Sequence, residues 1–123
     1  MKVSILGTEY EVFDKDEREY PKLKDADGVC ELYVNQIILD TSHKDDPNCY
    51  ENMDAYYHKV LRHEAFHAFF AEMGIRKWFE DEELVDMLAM QYPKIREIMD
   101  KCDAVDIFKI KEGIVNETGG GGK

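Results

Sequence analysis

Residues 2–13 hold two short runs, KVSIL and EYEVF, in which apolar and polar positions alternate around Gly7-Thr8. A period of two sends successive side chains to opposite faces of a strand, and a glycine between two such runs marks a β-hairpin. Residues 14–27 are charged, contain Pro21 and read as a loop. GVCELYVNQIILD, from Gly28, reads as a strand, a turn near residues 33–35 and a second strand at 36–40 rich in β-branched residues. The polar stretch TSHKDDPNCYEN at 41–52 is turn-forming and reads as another loop.

From about Met53 the period becomes helical. Tyr56, Tyr57, Val60, Leu61, Glu64, His67, Ala68 and Ala71 fall on one broad face. Asn52 or Asp54 suits the N-cap and Gly74 the end. After a short segment, IRKWFED, a second helix is predicted from about Asp81, with Leu84, Val85, Leu88, Tyr92 and Ile95 as its apolar stripe. The acidic cluster at 80–83 suits the positive end of that helix dipole. Pro93 is expected to kink or break it. DIFKI, within 103–117, reads either as a late strand or as a last helical turn. These elements predict an α+β domain over 1–117, followed by a flexible glycine-rich tail at 118–123.

Composition narrows the function classes. Charged residues make up 35% and hydrophobic ones 44%, as in ordinary globular domains. The 27 acidic residues outnumber the 16 basic ones for a net charge of −11, which argues against nucleic acid and anionic membranes as partners. No run is apolar enough for a membrane span and nothing resembles a signal peptide. Cys30, Cys49 and Cys102 are odd in number and lack C-x-x-C spacing. They read as reduced thiols in a cytoplasm, with Cys30 and Cys102 as small core residues.

The chemistry concentrates in LRHEAFHAFF, where His63, Glu64 and His67 stand as H-E-x-x-H. Residues i and i+4 stack on one helical face, so both imidazoles can point at one cation. Glu64, beside them, can reach a water on that cation without being a ligand, the arrangement zinc hydrolases use. The motif alone arises by chance in roughly one chain in a few hundred of this length. Burying two imidazoles and a carboxylate without partners is costly, however, and a metal is the simplest partner. A third ligand is available in EDEELVDMLA, as Glu82 or Glu83 according to helix phase. Asp86, one turn after Glu82, could accept the spare N–H of a ligating histidine. His58 lies about 140° around the helix from His63, and His43 lies in a polar loop, so both read as exposed or structural. Tyr56, Tyr57 and Tyr92 read as packing residues with surface hydroxyls.

Taken together, VLRHEAFHAFFAEMG, the E-x-x-V-D-x-x-A segment Glu82–Ala89 and the two hairpins resemble the small gluzincin-like metallopeptidase domains encoded by phages and prophages. The resemblance covers roughly residues 2–96. It implies a minimal zincin-like fold, a small twisted sheet packed on the H-E-x-x-H helix with a second helix supplying a glutamate. It also implies Zn2+ held by His63, His67 and Glu82, Glu64 as catalytic base, Asp86 behind the ligands, and a protein or peptide substrate in a bacterial cytoplasm. An edge strand, here residues 36–40, would lie beside the substrate backbone by strand addition. The rival expectation is a non-catalytic zincin-fold interaction module, which a fourth ligand such as His43 or Cys49 would favour. A third is a regulatory protease that cleaves a repressor.

Overall fold

The computed structural model describes residues 1–43, 46 and 50–112. The chain divides into two compact units, one spanning Met1–Met90 and a second beginning at Gln91. In the first unit, β1 (Lys2–Ile5) and β2 (Thr8–Asp14) form an antiparallel hairpin with Ile5 opposite Thr8. The turn residues are Leu6 and Gly7, at φ 49° and 89°. A two-residue link with left-handed backbone matches the twist of paired strands. A leucine in that region costs roughly 1–2 kcal/mol, much of which asparagine avoids. The Leu6 side chain is 58% exposed and has little packing to lose. Leu6→Asn is therefore expected to stabilise the protein by about 1 kcal/mol, seen as a rise in Tm of about 4–8 °C by circular dichroism. An unchanged or lower Tm would contradict the strain argument.

β3 (Gly28–Glu31) and β4 (Gln36–Leu39) form the second hairpin, joined by a 3-10 turn at Leu32–Val34 that closes on left-handed Asn35. The sheet runs β1-β2-β4-β3, with β4 parallel to β2 and Val12 opposite Ile37. This corrects the expectation that residues 36–40 form an edge. Ile37 and Ile38 are completely buried and Leu39 nearly so. A strand apolar on both faces belongs inside a sheet, and the edges are β1 and β3. The loop at 14–27 is tied down by a 3-10 turn at Pro21–Leu23, whose Leu23 is buried.

Across one face of the sheet runs α1 (Met53–Met73). The Asn52 side chain caps it by accepting from the Ala55 N–H at 3.0 Å, and left-handed Gly74 ends it. Val60 and Ala68 pack into a core with Ile5, Tyr10, Ile37 and Leu39. Glu72 fastens the helix to the first hairpin, accepting from Thr8 Oγ1 at 2.5 Å and Tyr10 OH at 2.7 Å. Those two donors hold its carboxyl below the usual range.

IRKWFED contributes the single-turn α2 (Arg76–Phe79), and α3 (Glu82–Ala104) follows. Asp81 caps α3 by accepting from the Leu84 N–H at 3.0 Å. Val85 and Ala89 are fully buried. Of the kink or break expected at Pro93, the break does not occur: α3 continues through it. Proline deprives the carbonyl four residues earlier of its helical donor; here that carbonyl belongs to Ala89, and Arg62 Nε donates to it at 2.9 Å. The second unit carries the rest of α3 and a 3-10 helix at Ile107–Glu112, which decides the DIFKI segment against a strand. Cys102 is exposed there rather than in a core, because this stretch of α3 shows almost all its residues to solvent. Cys30 is partly buried against the core of the first unit, and burial, with nearby acidic groups, pushes its thiol up to about 12. Cys49, residues 113–117 and the predicted tail at 118–123 lie outside the described residues. Among the described residues, no helix is long and apolar enough to cross a membrane.

Candidate metal centre

One helical turn separates His63 from His67 on α1, and their ring centroids are 4.9 Å apart. α3 brings Glu82 across to both. Its Oε1 lies 3.1 Å from His63 Nε2 and its Oε2 lies 3.0 Å from His67 Nε2. One ligand atom from each residue lies within 4.8 Å of the others. The histidines are largely buried, whereas the Glu82 side chain is 71% exposed and has room to adjust. Helix phase explains why Glu82, not Glu83, faces the histidines. Glu82, Val85, Asp86 and Ala89 share one face at helical spacing, and burial of Val85 and Ala89 turns that face inward.

The other ring nitrogens are also engaged. His67 Nδ1 lies 2.8 Å from the Phe79 carbonyl oxygen. A carbonyl only accepts, so Nδ1 carries the proton and donates it. This carbonyl is free because α2 ends there and continues no helical ladder. The Phe79 ring meets the His67 ring edge-on at 5.5 Å. His63 Nδ1 lies 3.1 Å from Asp86 Oδ1. Lys59 donates to the same Asp86 oxygen. That bond, helped by the His63 contact, holds the Asp86 carboxyl below its usual range, so it accepts rather than donates. Both Nε2 atoms face the Glu82 carboxylate. A cation, whether a proton on each ring or one divalent metal, satisfies that arrangement, and two imidazoles with a carboxylate are a donor set such a metal takes.

Glu64 lies between α1 and β3, beside Gly28, and is 7% exposed. Burial pushes its carboxyl above the ordinary value; His63 and His67 oppose that rise and Glu82 adds to it. Gly28 of β3 makes the room. A Cβ there would stand 2.8 Å from Val60 Cγ1, 3.1 Å from Glu64 Cγ and 3.2 Å from Glu64 Oε2. Val60 is β-branched on a helix and holds one rotamer, so it yields poorly. Gly28→Ala is expected to cost about 1–3 kcal/mol through overpacking. Chemical denaturation would read this as a lower midpoint with an unchanged slope; a wild-type midpoint would show that the gap can open freely.

The remaining candidates do not join the cluster. His58 Nδ1 sits 2.8 Å from the Asp54 carbonyl on the exposed side of α1. His43 Nε2 lies 3.2 Å from Asp40 Oδ2, so no fourth ligand comes from it. The tyrosine expectation needs correcting at Tyr57, whose hydroxyl is buried. Tyr56 packs against the core and its OH donates to Asp27. Tyr92 is 39% exposed.

Three contributors escaped the sequence reading. Lys59 shares the i, i+4 stripe with His63 and His67, a signal that was available. Gly28 interrupts a strand, which marks a close approach without naming the partner. Phe79 acts at His67 through a backbone oxygen, for which a sequence holds no signal. No family model matches the chain, and no curated protein or solved structure matches it.

Proposed function

We propose that the protein is a zinc-dependent metallopeptidase of minimal zincin-like architecture, with His63, His67 and Glu82 holding the metal. The observation that supports this best is the convergence of both Nε2 atoms on one carboxylate, while Asp86 and the Phe79 carbonyl face the two Nδ1 atoms. Such a donor set suits zinc, and a three-residue set leaves a coordination position open for chemistry. Closed structural sites use four protein ligands, and the group among the described residues has three. That weighs against the non-catalytic reading.

When bound, zinc supplies a Lewis acid that brings the pKa of a water ligand to about 7 and polarises a substrate carbonyl. Glu64 takes the proton from the attacking water on a carboxylate oxygen and returns it to the leaving amine, so the amide is divided into a carboxylate and an amine. Gly28 keeps the carboxylate in its slot. Asp86 fixes the His63 tautomer, Phe79 that of His67, and Lys59 keeps Asp86 ionised. The edge strand β3 is the place for an extended substrate backbone, since it bonds to β4 on one side and runs past Glu64.

The test is zinc content by elemental mass spectrometry on protein purified without a metal-affinity tag, together with cleavage of a degenerate peptide library. About one zinc per chain and chelator-sensitive cleavage support the proposal. A protein that holds zinc and cleaves nothing moves the reading to the interaction module. Asp86→Ala is expected to weaken zinc binding by about 10–100-fold while still folding, measured by chelator competition; unchanged affinity would remove Asp86 from the site.

A further inference from the structure

Beyond Phe79, away from the histidines, a cavity of about 490 Å³ opens between the end of β3 and the α1–α2 junction. Leu32, Ala71, Ile75 and Phe79 line it, and Tyr33, 99% exposed, also borders it. The size is that of a small-ligand site. One of its walls also builds the metal centre, and another lies on the same helix as His67. Phe79 holds His67 through its carbonyl, and Ala71 lies one turn after His67 on α1. β3 links the two places as well, since Gly28 touches Glu64 and Cys30 and Glu31 border the cavity.

We propose that this cavity is a substrate side-chain subsite that selects a bulky apolar residue, aromatic or branched aliphatic, near the bond to be cut. The inference rests on the peptidase reading above and adds its specificity. Side chains of an extended peptide alternate in direction, and each residue advances about 3.3 Å. A backbone paired along β3 with its scissile carbonyl beside Glu64 therefore delivers a side chain to the cavity roughly two residues away. The charges at the rim are already answered. Glu31 accepts from Tyr20 and from Lys22 at 2.7 Å, and Arg76 pairs with Glu80 at 3.4 Å. A charged substrate side chain would lose its hydration there without gaining a free partner, whereas an apolar one covers Leu32, Ile75 and the Phe79 ring.

The experiment has two readouts on one set of peptides. Zinc-loaded wild type is profiled against the degenerate library by mass spectrometry. In parallel, zinc-loaded Glu64→Gln is titrated by fluorescence anisotropy with labelled peptides carrying Phe, Ala or Asp at the varied position. Phe is expected to be favoured over Ala by about ten- to hundredfold in both assays, and over Asp by at least as much. Leu32→Arg and Ile75→Arg, on different elements and checked for zinc content and circular dichroism, are each expected to collapse that ratio toward one. Binding preference without cleavage by wild type would sink the peptidase reading and keep the apolar subsite. Cleavage or binding indifferent to the varied residue, or a ratio that survives both arginine variants, would overturn the subsite and leave the peptidase reading standing.

Discussion

Glu64→Gln is expected to lower peptide cleavage about 10²–10⁴-fold while the protein still takes up one zinc. The size follows from the role. Glutamine keeps the shape of the side chain in the slot beside Gly28 and removes only its ability to carry a proton. The zinc readout follows from geometry, because Glu64 lies outside the His63, His67 and Glu82 group. A second consequence separates this variant from a simple loss of structure. Burial raises the Glu64 carboxyl above its ordinary value, so the folded metal-free protein holds that proton to a higher pH than the unfolded chain does. For such a group the stabilising contribution is complete below the unfolded-state pKa and is lost as pH rises through the raised folded value. Metal-free wild type should therefore lose Tm over that interval relative to Glu64→Gln, whose amide does not titrate. Scanning calorimetry over a pH series rising from the ordinary carboxylate range measures it. Cleavage retained within a few-fold of wild type would dismiss Glu64 as the base.

Removing a ligand should have the largest effect on metal content. His67→Ala and Glu82→Ala are both expected to bring zinc close to zero, but they differ in the metal-free protein. His67 is 7% exposed and packs on Phe79, so its truncation leaves a void and an unpaired carbonyl, costing about 2–4 kcal/mol. Glu82 is exposed at the start of α3, and its loss costs the apo fold within about 0.5 kcal/mol. Zinc at a thousand times its dissociation constant adds about 4 kcal/mol to wild type. Thermal scans with and without zinc should show that gain in wild type and its absence from both variants. Zinc retained by Glu82→Ala and lost by Glu83→Ala would move the third ligand by one residue.

The expectations that held concern neighbours along the chain. The change of period at Met53, the Asn52 and Gly74 ends of α1, and the stacking of His63 over His67 are matters of a few residues and one helical turn. Helix geometry alone sets them. Placing Glu82 and Asp86 one turn apart on a second helix was legible for the same reason. The edge-strand expectation failed because strand order is a pairing between distant segments, and the burial that pulls Ile37 and Ile38 inside is not a local property. Pro93 does not break α3 because part of its local cost is met from elsewhere, by Arg62 at the Ala89 carbonyl.

By itself, then, the sequence determined the types of the two hairpins and the two long helices, and the spacing of the candidate donor residues. Tertiary structure alone decided which donors meet. It set the phase that turns Glu82 inward, the free Phe79 carbonyl that orients His67, the Lys59 contact that keeps Asp86 an acceptor, and the bare Gly28 backbone against which Glu64 rests. Each of these is a meeting between segments remote in the chain, and the Phe79 contact of His67 and the Gly28 contact of Glu64 are made by a backbone oxygen and by the absence of a side chain, neither of which leaves a periodic trace in residue order.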